Sequence, residues 1–270
     1  MPCLGSLQAL HRLSPFISII ETRDEATRTQ IVKSISAYHR ESGGLLYSYL
    51  ISLPLLVLYE VLIIISQPDP DYLVRISVDA WIKSIFASFG LQTVTATLIS
   101  AAIAGGIILY RKRSELGSVK CRYFGYMIAE SFVYAVVISL IISRFLGFIL
   151  NISADFALEG MSKLQLIALS LGAGLYEELF FRVILVGFLV FVFKRSLKSR
   201  NTAYALSATL AALLFSTVHY IGQMGDSLEL GSFLFRFLFG LALNVVYVIR
   251  GFGMAAWTHA LYDLIVIMRI

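Results

Sequence analysis

Long uninterrupted apolar runs are the feature that most restricts how this chain can fold. Seven of them reach the length of about 17–25 residues that an α-helix needs to cross the hydrocarbon core of a bilayer. They lack the alternation of polar and apolar residues that is typical of membrane β-barrel strands. The sequence therefore predicts an all-α, polytopic bundle of transmembrane helices. The predicted spans are residues 44–66, 91–110, 123–150, 164–193, 202–219, 230–249 and 252–268.

A further amphipathic segment at residues 73–90 leaves the number of spans at seven or eight. Arg75, Asp79 and Lys83 recur there at helical spacing among apolar residues, which is typical of a helix lying at the membrane interface. If this segment inserts instead, the bundle has eight spans. Because charged residues also occur within the spans, we expect the bundle to enclose a polar intramembrane cavity.

The charge distribution predicts an orientation and argues against nucleic-acid binding. The net charge is +5, but only 14% of the residues are charged, against about 25% in soluble proteins. Basic residues concentrate at 111–122 and 194–201, and acidic ones at 67–72, 151–163 and 220–229. Under the positive-inside rule, this alternation predicts a cytoplasmic N-terminus in what we expect to be the plasma membrane.

The chain divides into a short polar arm and a membrane bundle. Residues 1–42 are polar and mixed in charge, which predicts a cytoplasmic or interfacial arm, and residues 43–270 form the predicted bundle. We find neither internal repeats nor a soluble domain in the sequence. The expected partner of the bundle is the lipid bilayer, and ionisable groups crowd into the last hundred residues of the chain.

Glu177 stands out among these ionisable groups. A charge at the bilayer centre costs at least about 2.5–3.5 kcal/mol, so it usually faces the bundle interior. Glu178 and Arg182 are four residues apart and can pair on one helix face. Glu177 points about 100° away and lacks that local partner. A desolvated carboxylate of this kind is a candidate general base.

Two membrane histidines are the natural partners of Glu177. His219 ends its predicted span, while His259 and Asp263 are four residues apart on one face. Water, a carboxylate base and two imidazoles can hydrolyse an amide. In this predicted reaction Glu177 takes a proton from the attacking water and His219 positions that water. His259 with Asp263 lies on the side where the oxyanion develops. Because a charged Asp263 would repel an oxyanion, it must be protonated or must orient His259.

A zinc mechanism can use the same residues. Glu177, His219 and His259 would be the ligands, with water in the open fourth position. The HExxH helix of common zinc proteases is absent from the sequence. The residues by themselves leave both mechanisms open.

Three motifs together resemble the CPBP family of intramembrane proteases. They are Glu177-Glu178-x-x-x-Arg182, Phe215-x-x-x-His219 and His259-x-x-x-Asp263, within residues 165–268. The family comprises type II CAAX prenyl endopeptidases and Abi-like bacteriocin-processing or immunity proteins.

The resemblance implies a bundle of about eight spans with a polar cavity. It also implies that Glu177 is the catalytic base, His219 its partner, His259 and the last motif residue the oxyanion side, and Glu178 with Arg182 their support. The family has been described both as metalloproteases and as metal-independent glutamate proteases. We expect no cofactor, because the Glu178–Arg182 pair leaves few ligands, with zinc as the alternative. The last motif position is often asparagine in prenyl proteases, so Asp263 departs from the pattern and favours zinc slightly.

The predicted function is therefore an intramembrane endopeptidase that hydrolyses a peptide bond near the membrane surface, and the expected partner is a peptide or protein substrate. One alternative is a non-catalytic immunity or scaffold protein of the same fold, whose motif residues need not converge. The other is a proton-coupled transporter in which Glu60, Glu130 and Glu177 form a relay. Transporters of the common classes show internal repeats, which this sequence lacks. The endopeptidase hypothesis predicts that Glu177, His219 and His259 lie close enough to hold one water.

Overall fold

The computed structural model describes residues 27–67, 74–90, 93–150, 161–222 and 225–268, without the side chains of 93–96 and 148–150. Every regular element within these ranges is helical, which confirms the predicted all-α class. Residues 1–26, 68–73 and 151–160 hold part of the predicted arm and parts of two predicted acidic loops, and they lie outside the described residues. The contacts of the chain divide it into two units, Met1–Ser42 and Gly43–Ile270.

Helices α1 to α10 follow one another along the described chain. In the first unit, residues 27–42 are helical (α1) and mostly exposed. In the second unit, α6 and α7 are joined by two π-helical segments, at Ala173–Glu177 and Leu179–Leu185. The bounds of the other helices are Leu45–Ser66 (α2), Ser77–Ser88 (α3), Thr93–Arg111 (α4), Cys121–Leu150 (α5), Lys163–Gly172 (α6), Val186–Ser196 (α7), Arg200–Val218 (α8), Leu230–Arg250 (α9) and Phe252–Met268 (α10).

Four helical stretches are long and apolar enough to cross a membrane by length and composition. They are α2, residues 121–147 of α5, α8 and α9, and the protein is therefore integral to the membrane. Two shorter apolar helices, Thr97–Arg111 and α10, accompany them. Each of the seven predicted spans coincides with described helix, including the continuous stretch 163–196.

The segment predicted to lie at the membrane interface forms a short helix that turns its charged face toward the protein interior. α3 has 12 residues, which is about 18 Å and too short for a hydrocarbon core of about 30 Å. An interfacial helix would turn its charged face to water. Here Asp79 and Lys83 are buried, while Trp81 and Ile85 are exposed. The charged face turns inward because it meets an opposite charge on α2, as described below.

Local signals explain where the site-bearing helices begin. Ser162 and Gln165 form a reciprocal capping box at the start of α6, so two backbone N–H groups of the first turn are satisfied. Ser199 caps α8 by accepting a hydrogen bond from the backbone N–H of Thr202. Gly251 has a φ of +88°, which only glycine adopts without strain, and this turn lets α10 follow α9 directly.

α10 lies against the helices that carry the motif residues. It packs against α2, α5, α6, α9 and both π-helical segments. It comes close to the first π-helical segment at Gly174, where a Cβ atom would lie 2.4 Å from the carbonyl oxygen of Ala256. Small residues permit such approaches between membrane helices. This contact brings the glutamates of the π-helical region next to the histidine of α10.

Candidate functional site

Glu178 is the most deeply buried acidic group of the motif region. Its side chain is fully buried, and its Oε1 lies 2.9 Å from Arg182 Nη1 and 2.7 Å from His259 Nδ1. The pairing of Glu178 with Arg182 is the one that their spacing predicted. Arg182 also donates through Nη2 to the carbonyl oxygen of Gly240 and lies over the ring of Phe215 at 4.6 Å. Glu178 and Arg182 thereby tie the π-helical region to α8, α9 and α10.

Glu177 is buried beside this pair, but its Oε2 has no hydrogen-bond partner among the described residues. This oxygen lies 3.9 Å from His219 Nε2 and 4.0 Å from His259 Nε2. Both distances are too long for direct hydrogen bonds. Each separation is one that a single water can bridge with two hydrogen bonds of about 2.8 Å. The arrangement is the convergence that hydrolysis requires and that a scaffold does not.

Both imidazoles turn their Nε2 atoms toward Glu177 because their Nδ1 atoms are bound elsewhere. His219 Nδ1 lies 2.8 Å from the carbonyl oxygen of Phe215, and His259 Nδ1 lies 2.7 Å from Glu178 Oε1. A carbonyl and a carboxylate only accept, so each Nδ1 carries the proton and donates it. His219 is a quarter exposed while His259 is buried, so the site reaches the protein surface on the His219 side.

Asp263 approaches the same ring nitrogen of His259 that faces Glu177. Its Oδ2 is 3.6 Å from His259 Nε2, and its side chain is 27% exposed. The same-face placement of His259 and Asp263 agrees with their spacing of four residues. Nε2 of His259 is therefore flanked by two carboxylates, Glu177 and Asp263, while Nδ1 binds a third.

The π-helical turns are a feature that sequence reasoning missed. The 3.6-residue period separates Glu177 and Glu178 by about 100° and predicts different partners for them. In the structure both carboxylates lie beside His259: Glu178 is 2.7 Å from Nδ1, and Glu177 is 4.0 Å from Nε2. Helical segments with i→i+5 hydrogen bonds are rare and are found most often at functional sites.

Aromatic rings enclose the two imidazoles. The Phe215 ring centre lies 5.1 Å from that of His219 and 5.7 Å from that of His259, and Phe239 lies 5.6 Å from His259. These edge-on contacts hold the rings in place and exclude water from their apolar faces. Phe215 belongs to a recognised motif, whereas Phe239 carried no signal beyond its place in an apolar span.

A second buried cluster of charges was also missed. Glu60 of α2 accepts from Lys83 Nζ at 2.6 Å, from Arg75 Nη1 at 3.2 Å and from the Tyr176 hydroxyl at 3.1 Å. Asp79 pairs with the same two cations and accepts from the Tyr59 hydroxyl at 2.6 Å. The cluster contains two acids and two bases, so its charges balance inside the bundle.

A sequence signal for this cluster did exist. Arg75, Asp79 and Lys83 repeat every four residues and so form one charged stripe, and Glu60 was recognised as a charge within a span. Nothing in the sequence said that the stripe faces Glu60. The cluster reaches the candidate site through Tyr176, which directly precedes Glu177.

Glu130 belongs to a third, separate ion pair. It takes two hydrogen bonds from Arg250, at 2.7 and 2.8 Å, and a third from the Tyr134 hydroxyl. Glu60 and Glu130 are thus each bound to their own cations. This arrangement lends no support to a relay in which both pass protons to Glu177.

The three candidate zinc ligands are Glu177, His219 and His259, and the separations of their ligand atoms decide whether they fit zinc. Histidines that bind metal usually have Nδ1 anchored as His219 and His259 do. However, ligands of a tetrahedral zinc with bonds of about 2.0–2.1 Å lie about 3.4 Å apart, and Glu177 Oε2 is 3.9 and 4.0 Å from the two Nε2 atoms. Within the described ranges, no three His, Cys, Asp or Glu side chains form a group that could hold a metal ion. Zinc binding would require these side chains to move closer together.

A comparison with protein families gives one match. A family model described as type II CAAX prenyl endopeptidase Rce1-like matches residues 159–265, which is less than half of the chain but includes all three motifs. This match confirms the resemblance to the CPBP family, and the matched family is one of peptidases. Neither a curated protein nor a solved structure gives a significant match.

Proposed function

We propose that this protein is an intramembrane endopeptidase in which Glu177 activates the water that attacks a peptide bond near the membrane surface. The observation that carries the proposal is the buried Oε2 of Glu177, which faces two imidazole nitrogens at 3.9 and 4.0 Å and has no hydrogen-bond partner among the described residues. The match to a CAAX endopeptidase family over the same helices supports hydrolytic chemistry.

In the proposed reaction, water binds between Glu177 and the two Nε2 atoms. Glu177 takes one proton as the water oxygen bonds to the substrate carbonyl carbon, and His219 Nε2 accepts a hydrogen bond from the other. His259 in its imidazolium form donates Nε2–H to the oxyanion, with Asp263 beside it as a positioning group. The proton on Glu177 then passes to the amide nitrogen as the carbon–nitrogen bond breaks.

The peptide is proposed to approach from the membrane face opposite the basic loops. α8 begins beside the basic residues 194–201 and is about 28 Å long, and His219 lies at its other end. We propose seven spans, with residues 163–196, α4 and α10 added to the four long apolar helices. Under the positive-inside rule, the His219 end then faces outward.

A cleavage assay in oriented proteoliposomes tests this function. The probes are a farnesylated peptide ending in cysteine, two aliphatic residues and a variable residue, and the same peptide without the farnesyl group. Mass spectrometry of the products should show endoproteolysis from the face opposite the basic loops. Absence of hydrolysis of both probes from either face would contradict the proposal.

We propose that the reaction needs no metal, and zinc analysis provides the check. Zinc content below about 0.1 per chain and cleavage within twofold of the untreated rate after chelation are the expected results, because the three candidate ligands lie farther apart than tetrahedral zinc requires. If zinc were retained at one per chain, and cleavage were lost on chelation and restored by zinc alone, then Glu177, His219 and His259 would be its ligands. Zinc would then supply an activated water.

Tyr176 is proposed to help orient Glu177, and Tyr59 offers a matched control. Each hydroxyl donates to a carboxylate of the same buried cluster, but only Tyr176 lies in the turn that carries Glu177. Replacing either tyrosine by phenylalanine should lower stability by about 1–2 kcal/mol. Tyr176→Phe should also lower kcat about tenfold without raising KM, whereas Tyr59→Phe should leave kcat within twofold. Equal kcat values in the two variants would assign Tyr176 a structural role alone.

A further inference from the structure

Two hydrogen-bond donors at the His219 end of the bundle lack acceptors among the described residues. Arg236 Nη1 and the hydroxyl of Tyr220 are buried, and neither has a hydrogen-bond partner in the part of the chain that the structure describes. The two side chains are in contact, with the guanidinium carbon 5.1 Å from the centre of the tyrosine ring. A buried donor of a charged group is costly to leave unpaired. Two such donors side by side indicate a site for an anionic or strongly accepting ligand.

This pair of donors lies next to the candidate active site. Gly240 of α9 packs against Phe215, and Arg236 precedes it by one helical turn. His219 follows Phe215 by one turn at the end of α8, and Tyr220 is the next residue. The two helix ends are joined here, because the Ser216 hydroxyl donates to the carbonyl oxygen of Phe233 at 2.7 Å.

The other edge of the guanidinium already binds a carboxylate. Arg236 Nη2 donates to Asp226 Oδ2, and the Asp226 backbone N–H donates to the carbonyl oxygen of His219 at 2.9 Å. Asp226 is half exposed, whereas the Arg236 side chain is only 15% exposed. A guanidinium has five N–H donors in a planar fork, so binding of Asp226 leaves Nη1 for a second acceptor.

We propose that Arg236 and Tyr220 form a subsite that binds a carboxylate of the peptide substrate beside His219. This inference rests on the proposed endopeptidase function and adds a determinant of specificity to it. The carboxylate accepts hydrogen bonds from Arg236 Nη1 and from the Tyr220 hydroxyl. Its source is either the C-terminus of the peptide or an acidic side chain, since both present the same group. The subsite selects peptides and takes no part in the proton transfers.

A binding cycle tests the subsite independently of cleavage. The probes are the farnesylated peptide with a free C-terminal carboxylate, the same peptide as its C-terminal amide, and the amide with one glutamate added near its end. Their Kd values are measured on the full chain in proteoliposomes, in a Glu177→Gln background that prevents turnover. The variants added to it are Arg236→Gln, Tyr220→Phe and, as a matched arginine substitution at the exposed opposite end of α8, Arg200→Gln.

In the Glu177→Gln protein that retains Arg236, amidation of the peptide should raise Kd about tenfold, and the Arg200→Gln variant should behave in the same way. In the Arg236→Gln variant, amidation should raise Kd less than twofold. Tyr220→Phe should reduce the preference for the acid about threefold. If the glutamate-containing amide recovers the affinity of the acid only when Arg236 is present, the carboxylate comes from a side chain. Arg236→Gln leaves a half-exposed Asp226 unpaired, so the fold should persist, and Arg236→Lys provides a variant that keeps the charge.

The inference is overturned if the acid and the amide bind equally to the protein that retains Arg236, if Arg236→Gln keeps the preference, or if neither peptide binds. Failure of the proposed function has a different signature. In that case the wild-type chain hydrolyses no peptide, but the protein still binds the acid more tightly than the amide, and this preference still depends on Arg236.

Discussion

Replacing Glu177 with glutamine should abolish peptide cleavage, with a loss of about 1,000-fold or more in kcat. Glutamine keeps the shape of the side chain but cannot take a proton from water. Because Glu177 Oε2 has no hydrogen-bond partner within the described structure, the substitution removes little that holds the helices together. The measurement is the initial rate of farnesylated-peptide cleavage in proteoliposomes, with the melting temperature recorded on the same preparation.

Glu115→Gln is the control for this experiment. Glu115 is an exposed glutamate in the turn Arg113–Ser118 and pairs only with Lys112 among the contacts described, so its substitution should change neither rate nor melting temperature. A Glu177→Gln protein that still cleaves within tenfold of the wild-type rate would reject Glu177 as the base. Lost cleavage with a melting temperature more than about 5 °C lower would reassign Glu177 to the fold.

Replacing the adjacent Glu178 with glutamine should instead destabilise the protein by about 3–5 kcal/mol. Its carboxylate is fully buried and is shared by Arg182 and His259. Glutamine at position 178 leaves the guanidinium of Arg182 without its carboxylate partner, and the Arg182 side chain is only 1% exposed. Cleavage should also fall, because a neutral amide oxygen is a weaker acceptor than a carboxylate for the Nδ1–H of His259. Stability is measured by denaturant unfolding in mixed micelles.

A double variant separates charge balance from packing. Arg182→Met alone should destabilise by a similar amount, because it leaves Glu178 without its cation. Glu178→Gln combined with Arg182→Met removes both charges and should cost less than the sum of the single changes by at least about 1 kcal/mol. Strictly additive losses, or a Glu178→Gln protein as stable as the wild type, would show that this pair does not hold the bundle together.

These two predictions separate neighbouring glutamates that look alike in the sequence. Glu177 and Glu178 have the same chemistry and the same apolar surroundings along the chain. Spacing to Arg182 predicted which one is paired, since residues four apart meet on a helix. The proposal that Glu178 supports the fold and Glu177 acts in catalysis rests on that local rule and on the distances to His219 and His259.

Contacts between helices were the part that sequence reasoning could not supply. The segment with Arg75, Asp79 and Lys83 was predicted to lie at the membrane interface, because no local pattern shows that Glu60 lies opposite these charges. The placement of Phe239 against His259, and of Arg236 beside Tyr220, joins residues on different helices in the same way. The π-helical turns were not predicted, because a change of helical period cannot be recognised in a sequence where nearly all residues are apolar.

Patterns in the sequence were enough to predict the helical class, the approximate bounds of the helices and the pairs four residues apart. In lipid the backbone must satisfy its own hydrogen bonds, and each of those pairs lies on a single helix. The surrounding of His259 by three carboxylates, and the placement of one oxygen of Glu177 at 3.9 and 4.0 Å from two imidazole nitrogens, came from the packing of different helices. Such contacts depend on how closely helices approach, for example at Gly174, and that approach is a property of packed surfaces rather than of any one segment.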